Sequence, residues 1–234
     1  TKPAVAIKEA VHVIRALWAG QTVNFRGEVI QCHNGRLNVL PRRADIPVII
    51  ASRGNLVLQA AGEVADGVMI ATYAEPVGIQ HALSMVEQGA ERAGRRFDDL
   101  TIISRVDACI SSDRRAAYDA VKPMVGVFLW TSYPDREFVH KVGLKVPDEL
   151  EAIIAKRDYN LMAPNAHLIP DEFVDKFCWA GTAEDVAHRV AEVVKMGIQH
   201  ITFLPHPPAG GDTLETVREF ARTVRPMVEA MAGA

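Results

Sequence analysis

The stretch from Asp45 to Thr72 constrains the fold more than any other part of the sequence, because two apolar runs flank one short helical pattern. The first run, Val48–Ala51, is continuous, which is typical of a parallel strand that is covered on both faces. A helix is predicted over Leu56–Ala61, and a second apolar run, Val68–Thr72, follows it. Strand, helix and strand in so short a stretch predict a βαβ unit with parallel strands.

The turn inside this unit has the residues that bind an anion. Gly54 lets a ligand approach the backbone, Ser52 and Asn55 offer side-chain hydrogen bonds, and Arg53 pairs with phosphate. Asn55 is the predicted N-cap of the helix, and Gly62 is predicted to end it. However, tight turns between a strand and a helix favour such residues whatever they bind. Neither a G-x-G-x-x-G motif nor a Walker A loop is present, so the spacing alone leaves both interpretations open.

Apolar runs and amphipathic helices continue to alternate along the chain, which indicates an α/β protein. Four parallel strands are predicted, at 47–52, 67–72, 101–109 and 199–204. A closed (β/α)₈ barrel needs eight strands and about 250 residues, whereas a doubly wound sheet needs fewer strands. The pattern by itself therefore leaves the topology open.

Other elements are predicted by local signals. Apolar residues at helical spacing predict a helix from Pro3 to Trp18. Val23–Phe25 and Leu37–Val39 are separated by polar and turn residues, which predicts a hairpin. Thr182 and Asp185 stand three residues apart ahead of an apolar stripe, which predicts a capping box at the start of a helix.

Residues 130–179 lack this regular alternation, and prolines divide them into short helical pieces. We interpret this segment as a helical insertion and not as a second domain. Its aromatic residues would line the entrance to a substrate site or form small satellite cores under the insertion, and we favour the satellite cores. They are Trp130, Tyr133, Tyr159, Phe177 and Trp179.

Charge and cysteine content narrow the class of protein. A formal net charge of -3 gives no reason to expect nucleic acid or an anionic membrane as a partner. The longest apolar runs are only as long as strands, so no transmembrane helix is predicted. Cys32, Cys109 and Cys178 are scattered, which suits a reducing compartment, and we expect a cytoplasmic protein. No metal-ligand spacing occurs, so no metal site is predicted.

Several segments, taken together and in order, resemble one known family. Residues 46–54 read IPVIIASRG, residues 61–68 read AGEVADGV, and residues 181–185 read GTAED. These runs are similar to the luciferase-like superfamily of flavin- and F420-dependent oxidoreductases, and in particular to its methylenetetrahydromethanopterin-reductase-like branch. The resemblance extends along nearly the whole chain and is weakest in the insertion.

The resemblance implies a TIM (β/α)₈ barrel of the bacterial-luciferase-like type, in which ligands lie at the carboxyl ends of the strands. The chain looks like the C-terminal two-thirds of such a barrel, with about four strands and a helical insertion. On this interpretation residues 1–234 form one partial barrel domain, and the insertion at 130–179 lies within it.

The resemblance also implies a cofactor-phosphate site. The expected binding residues are Ala51, Ser52, Arg53, Gly54, Asn55, Ala71 and Thr72. Many relatives have proline where this chain has Asn55, and a good N-cap preserves the turn. Residues that face the redox-active ring come largely from the part of the family fold that this chain lacks, so no catalytic residue is named. His206 follows the last predicted strand, and we interpret it as an exposed loop histidine.

The function implied by the resemblance is that of an F420-dependent oxidoreductase, which transfers hydride between reduced deazaflavin and a small organic substrate. An FMN-dependent luciferase-like monooxygenase is the first alternative, and a non-catalytic flavin-binding or scaffold module is the second. Another phosphate-binding (β/α) enzyme, such as an aldolase, is disfavoured because no predicted strand carries a lysine for a Schiff base. We also expect a homo-oligomer.

Overall fold

The fold was examined in a computed structural model, which describes residues 2–233. The chain divides into two compact units. The first unit comprises the residues up to Met69 together with Ala82–Ile102, and the second comprises Ile70–His81 together with the residues from Ile103 onward. Within the described residues there are two sheets, a two-stranded one and a five-stranded one. The larger sheet has the order β3-β4-β5-β6, and β7 also pairs with β5.

The first unit is built on three helices. Its elements are α1 (Pro3–Trp18), β1 (Val23–Arg26), β2 (Gln31–Gly35), β3 (Ile49–Ser52), α2 (Asn55–Val64), the start of β4 (Gly67–Ala71) and most of α3 (Pro76–Arg92). The predicted first helix is confirmed, and Gly20 follows it with φ of 77°. Leu58 and Ala61 of α2 and Val86 of α3 are fully buried, so the helices enclose an apolar core.

The hairpin is confirmed, but its predicted second strand is wrong. The return strand is β2, which pairs Val23 with Gly35 and Phe25 with Cys32, and not Leu37–Val39. The reason lies in α1, where the carboxylate of Glu9 accepts hydrogen bonds from the backbone amides of residues 28, 29 and 30, at 2.6, 3.0 and 2.7 Å. This contact closes the turn early, and the strand returns sooner than the apolar pattern indicates.

Helix α2 differs from its prediction at both ends. Gly54 is the N-cap and Asn55 is the first helical residue. Gly62 lies inside the helix, which continues to Val64. A Cβ atom on Gly62 would lie 2.1 Å from the backbone oxygen of Val86, so this glycine allows α2 and α3 to approach closely and does not end the helix.

The second unit contains most of the parallel sheet. Its elements are the end of β4, the start of α3, most of β5 (Thr101–Ile110), α4 (Arg114–Thr131), α5 (Glu137–His140), α6 (Asp148–Ile154), α7 (Asp171–Phe177), β6 (Cys178–Gly181), α8 (Ala183–Val194), β7 (His200–Pro205), α9 (Thr213–Glu219) and α10 (Arg225–Ala232), with a π-helical segment, Phe220–Val224, between the last two. Strand β5 pairs in parallel with both β6 and β7.

The four predicted strands are confirmed with shifts of one or two residues, and β6 was missed. This strand is only four residues long, all of them buried, and it follows α7 without any turn residue to mark its start. The capping box at Thr182 and Asp185 is confirmed. The short helices α5, α6 and α7 confirm that the segment before β6 is a series of short helical pieces.

Candidate functional site

The turn that follows β3 contains the residues expected to hold phosphate. Gly54 is exposed, and its φ of -84° and ψ of 135° suit any residue. A Cβ atom built on Gly54 would find only the Ser52 hydroxyl within 4 Å, at 3.9 Å, so the space above the turn is open. We call this open space over Gly54 the cradle, and a side chain at residue 54 would fill it.

Part of the backbone in this turn is already engaged. The amide of Gly54 donates to the Ser52 Oγ atom at 3.0 Å, and the amides of Val57 and Leu58 both donate to the Gly54 carbonyl. The Ser52 hydroxyl, the Arg53 side chain and the start of α2 surround this turn, and Arg53 and Asn55 each make a further interaction. The positive end of the helix dipole lies at the same place.

The end of β4 is conformationally strained at a second predicted site residue. Thr72 is buried and has φ of 74°, which a β-branched residue rarely adopts. Its amide donates to the Arg105 carbonyl at 3.0 Å, and its hydroxyl donates to the carbonyl of Ala71 at 2.6 Å. Such strain concentrates at functional sites, which supports a role for this strand end. Ala71 and Thr72 belong to the second unit, and the turn at Ala51–Asn55 belongs to the first.

A charged cluster that the sequence analysis did not assemble lies on β5 and just beyond the end of β7. The carboxylate of Asp107 is fully buried and accepts from Arg105 Nη1 at 3.0 Å and from His206 Nε2 at 2.7 Å. The alternation of Arg105 and Asp107 along β5 was the only signal in the sequence. It did not identify His206, which is 99 residues away in the chain and arrives through the pairing of β7 with β5.

His206 is not the exposed loop histidine of the sequence interpretation, because its side chain is only 22% exposed. Its amide donates to the Ala108 carbonyl at 2.7 Å, and its carbonyl accepts from the Thr216 hydroxyl at 2.9 Å. Beneath the cluster, burial raises the pKa of the Cys178 thiol, and the nearby charge of Asp107 raises it further. That thiol therefore stays protonated and adds no charge to the cluster.

The aromatic residues of the insertion do not act as one group. Phe177 and Trp179 are fully buried, and Trp179 Nε1 donates to the Ala74 carbonyl at 3.0 Å. Trp130 and Tyr159 make an edge-to-face pair, and the guanidinium of Arg157 lies over Trp130. Helix α4 starts just after the carboxyl end of β5, and Trp130 lies at the other end of this helix. These positions favour satellite packing over the substrate-entrance interpretation.

Across residues 2–233 there is no group of three or more histidine, cysteine, aspartate or glutamate side chains placed to hold a metal ion. Over the same residues, no helix has the length and apolar content needed to cross a bilayer.

The fold and these groups define an α/β protein with a parallel sheet, whose candidate ligand groups lie at or just beyond the carboxyl ends of β3, β4 and β7 and within β5. The sequence profile of the luciferase-like monooxygenase family matches residues 2–200. The chain therefore belongs to this family.

Individual relatives are identical to this chain at about a quarter of the aligned residues. The chain is 26% identical to 5,10-methylenetetrahydromethanopterin reductase of Archaeoglobus fulgidus, over 97% of this chain and 68% of the relative. It is 25% identical to the F420-dependent glucose-6-phosphate dehydrogenase of Nakamurella multipartita, over 97% of this chain and 61% of the relative.

A solved structure has the same fold. The coenzyme F420 dependent tetrahydromethanopterin reductase from Methanopyrus kandleri superposes with a TM-score of 0.78 at 24% identity, covering 96% of this chain and 63% of the reductase. The chain thus spans about three-fifths to two-thirds of the length of the proteins it matches.

Proposed function

We propose that this protein is an F420-dependent oxidoreductase, which catalyses hydride transfer between the deazaflavin cofactor and a small organic substrate. The observation that carries the proposal is family membership together with relatives whose names specify F420. When bound, the cofactor supplies the hydride chemistry, and the protein supplies binding, orientation and exclusion of water.

We further propose that the sheet corresponds to part of a (β/α)₈ barrel, about its C-terminal two-thirds. The parallel pairing of β5 with β6 and β7 supports this, as does the match to the reductase fold. In such barrels ligands lie at the carboxyl ends of strands. The single partial domain, the homo-oligomer and the cytoplasmic location expected from the sequence stay predictions.

The anionic tail of the cofactor is proposed to bind at Ala51–Asn55, with Ala71 and Thr72 as further binding residues. The open space over Gly54 supports the first part, and the strained backbone of Thr72 supports the second. Arg53 pairs with phosphate in this proposal, and Ser52 donates its hydroxyl hydrogen.

A fluorescence titration of the purified protein with F420 and with FMN tests the cofactor. We expect saturable binding of F420 and much weaker binding of FMN. The reverse ranking would assign the FMN-dependent chemistry of the family instead. Binding of F420 without any turnover over a panel of small alcohols and aldehydes would favour the non-catalytic module, and binding of neither cofactor would refute the proposal.

Two substitutions locate the phosphate. Arg53→Ala should weaken F420 binding by about 1–3 kcal/mol, because a charge-assisted hydrogen bond is lost. Gly54→Val keeps an allowed backbone conformation yet fills the cradle, so it should abolish binding while the protein stays folded. Arg96→Ala is the matched control, because this arginine is 75% exposed and pairs only with neighbouring aspartates among the described residues. Equal affinities in all three variants would place the phosphate elsewhere.

A further inference from the structure

One connected group contains the side chains of Arg105, Asp107 and His206. It runs from a buried carboxylate to two partly exposed side chains. Asp107 has no exposed surface, while Arg105 and His206 are 20% and 22% exposed. The buried carboxylate uses one oxygen for each partner, at 3.0 and 2.7 Å. The acceptor is therefore inside the protein, and both donors reach toward the surface from it.

The imidazole of His206 is not needed to hold the chain in place. The backbone of this residue is already hydrogen-bonded at both its polar groups. Its amide donates to the Ala108 carbonyl, and its carbonyl accepts from the Thr216 hydroxyl. The side-chain contact with Asp107 does something different, because it orients the ring. A carboxylate can only accept, so Nε2 carries the hydrogen and Nδ1 is the nitrogen that remains for another partner.

This arrangement matches the requirement for a general acid or base. One ring nitrogen is fixed on a buried carboxylate, which sets the tautomer, and the other is directed to a reacting group. His206 follows the carboxyl end of β7, the side of a parallel sheet where ligands bind. Two further groups face the same carboxylate: the guanidinium of Arg105, which pairs with Asp107, and the buried thiol of Cys178, whose pKa is raised by burial and by the charge of Asp107.

We propose that His206 is the proton-transfer residue of the site and that Asp107 is its positioning residue. This inference rests on the proposed oxidoreductase function and specifies it further, because it assigns a substrate whose reaction moves a proton on oxygen: an alcohol, or the carbonyl compound formed from it. In oxidation, the O–H proton of the alcohol would pass to His206 Nδ1 as the C=O bond forms. The hydride of the broken C–H bond would go to the oxidised cofactor, which supplies the hydride chemistry when bound. The imidazolium then returns the proton to water.

Arg105 has a second positioning role in this scheme. Its guanidinium shares the Asp107 carboxylate, so the charge that stabilises the imidazolium is divided between two cations. Loss of Asp107 should release the imidazole ring, whereas loss of Arg105 should leave the ring held by Asp107 alone.

Chemical modification tests the free nitrogen without any activity assay. Diethyl pyrocarbonate acylates unprotonated imidazole nitrogen, and peptide mass spectrometry gives the rate at each histidine. His200 is exposed at the start of β7 and serves as the internal reference. We expect His206 to react at a rate comparable to that of His200 although it is largely buried, and to react several-fold more slowly in D107N. An unreactive His206 beside a reactive His200 would overturn the inference.

The second test measures steady-state kinetics with F420 and propan-2-ol, or with another alcohol that the protein oxidises. H206Q should lower kcat about 10²- to 10⁴-fold and leave the F420 dissociation constant unchanged, while H200Q should change neither. Added imidazole should restore part of the rate of H206G. D107N should lower kcat at least tenfold and displace the pH profile. Full activity in H206Q would overturn the assignment of His206, whereas absence of F420 binding in the unmodified protein would instead overturn the proposed function.

Discussion

The close approach of α2 and α3 permits a quantitative test in the first unit. Gly89 of α3 faces the backbone of α2, and a Cβ atom there would lie 1.9 Å from the Gln59 carbonyl oxygen. Ordinary contact begins near 3.4 Å, so Gly89→Ala requires the helices to separate by about 1.5 Å. The opposing atom belongs to the backbone and has no rotamer by which to move away.

The expected magnitude follows from two opposing terms. Overpacking of a core costs about 1–3 kcal/mol, and the upper end applies when backbone must move. Alanine gains about 1 kcal/mol over glycine inside a helix. The net loss should therefore be about 2 kcal/mol in the free energy of unfolding, which corresponds to a Tm lower by about 4–8 °C for a chain of this size.

Urea unfolding followed by circular dichroism measures this difference. The matched control is Gly126→Ala in α4, where the new Cβ atom would meet side chains of Ile169 and Met162 at 3.4 and 3.5 Å. Since that contact is ordinary, the helix-propensity gain should leave this variant unchanged or more stable by up to about 1 kcal/mol. If Gly89→Ala proved as stable as the parent protein, the close helix contact would not exist and the reasoning would fail.

Three further predictions concern single groups. Thr182→Ala should lower the free energy of unfolding by about 1 kcal/mol in urea titrations, because the cap of α8 is lost; an unchanged midpoint would contradict this. Burial opposes ionisation of Asp185, but hydrogen bonds from the Thr182 amide and hydroxyl and the charges of two arginines hold its pKa below the ordinary 3.8. The carboxylate therefore stabilises the folded protein fully above pH 3.8, and this stabilisation is lost as the pH falls through the lower pKa of the folded state. The acid-unfolding curve of Asp185→Asn should lack this contribution, and a curve identical to that of the parent protein would refute the prediction. Burial raises the pKa of Cys109 to about 11, so iodoacetamide at mildly alkaline pH should alkylate the partly exposed Cys32 well before Cys109, as mass spectrometry of the peptides would record.

The elements that could be predicted are those whose signal is local. Apolar runs fixed β3, β4, β5 and β7 to within two residues, and the capping box at Thr182 was read from residues three positions apart. Four-residue β6 was missed because it has no turn residues before it and no alternation. The second hairpin strand was misplaced because Glu9, remote in sequence, determines where the turn closes.

The candidate site divides in the same way. The turn at Ser52–Asn55 was found from its residue types and from a resemblance, and its role in binding stays a prediction. The triad of Arg105, Asp107 and His206 was not found, since two of its members lie on β5 and the third follows from the pairing of a strand almost a hundred residues later.

The sequence by itself determined the α/β class, the family and the order of strands and helices, because hydrophobic periodicity and capping act over a few residues. Only the tertiary structure decided that Gly62 lies inside α2 and allows α3 to approach it closely, and that His206 is held against a buried carboxylate and is not a free loop residue. Both outcomes depend on contacts between segments distant along the chain, and such contacts leave no periodic pattern in the residues that make them.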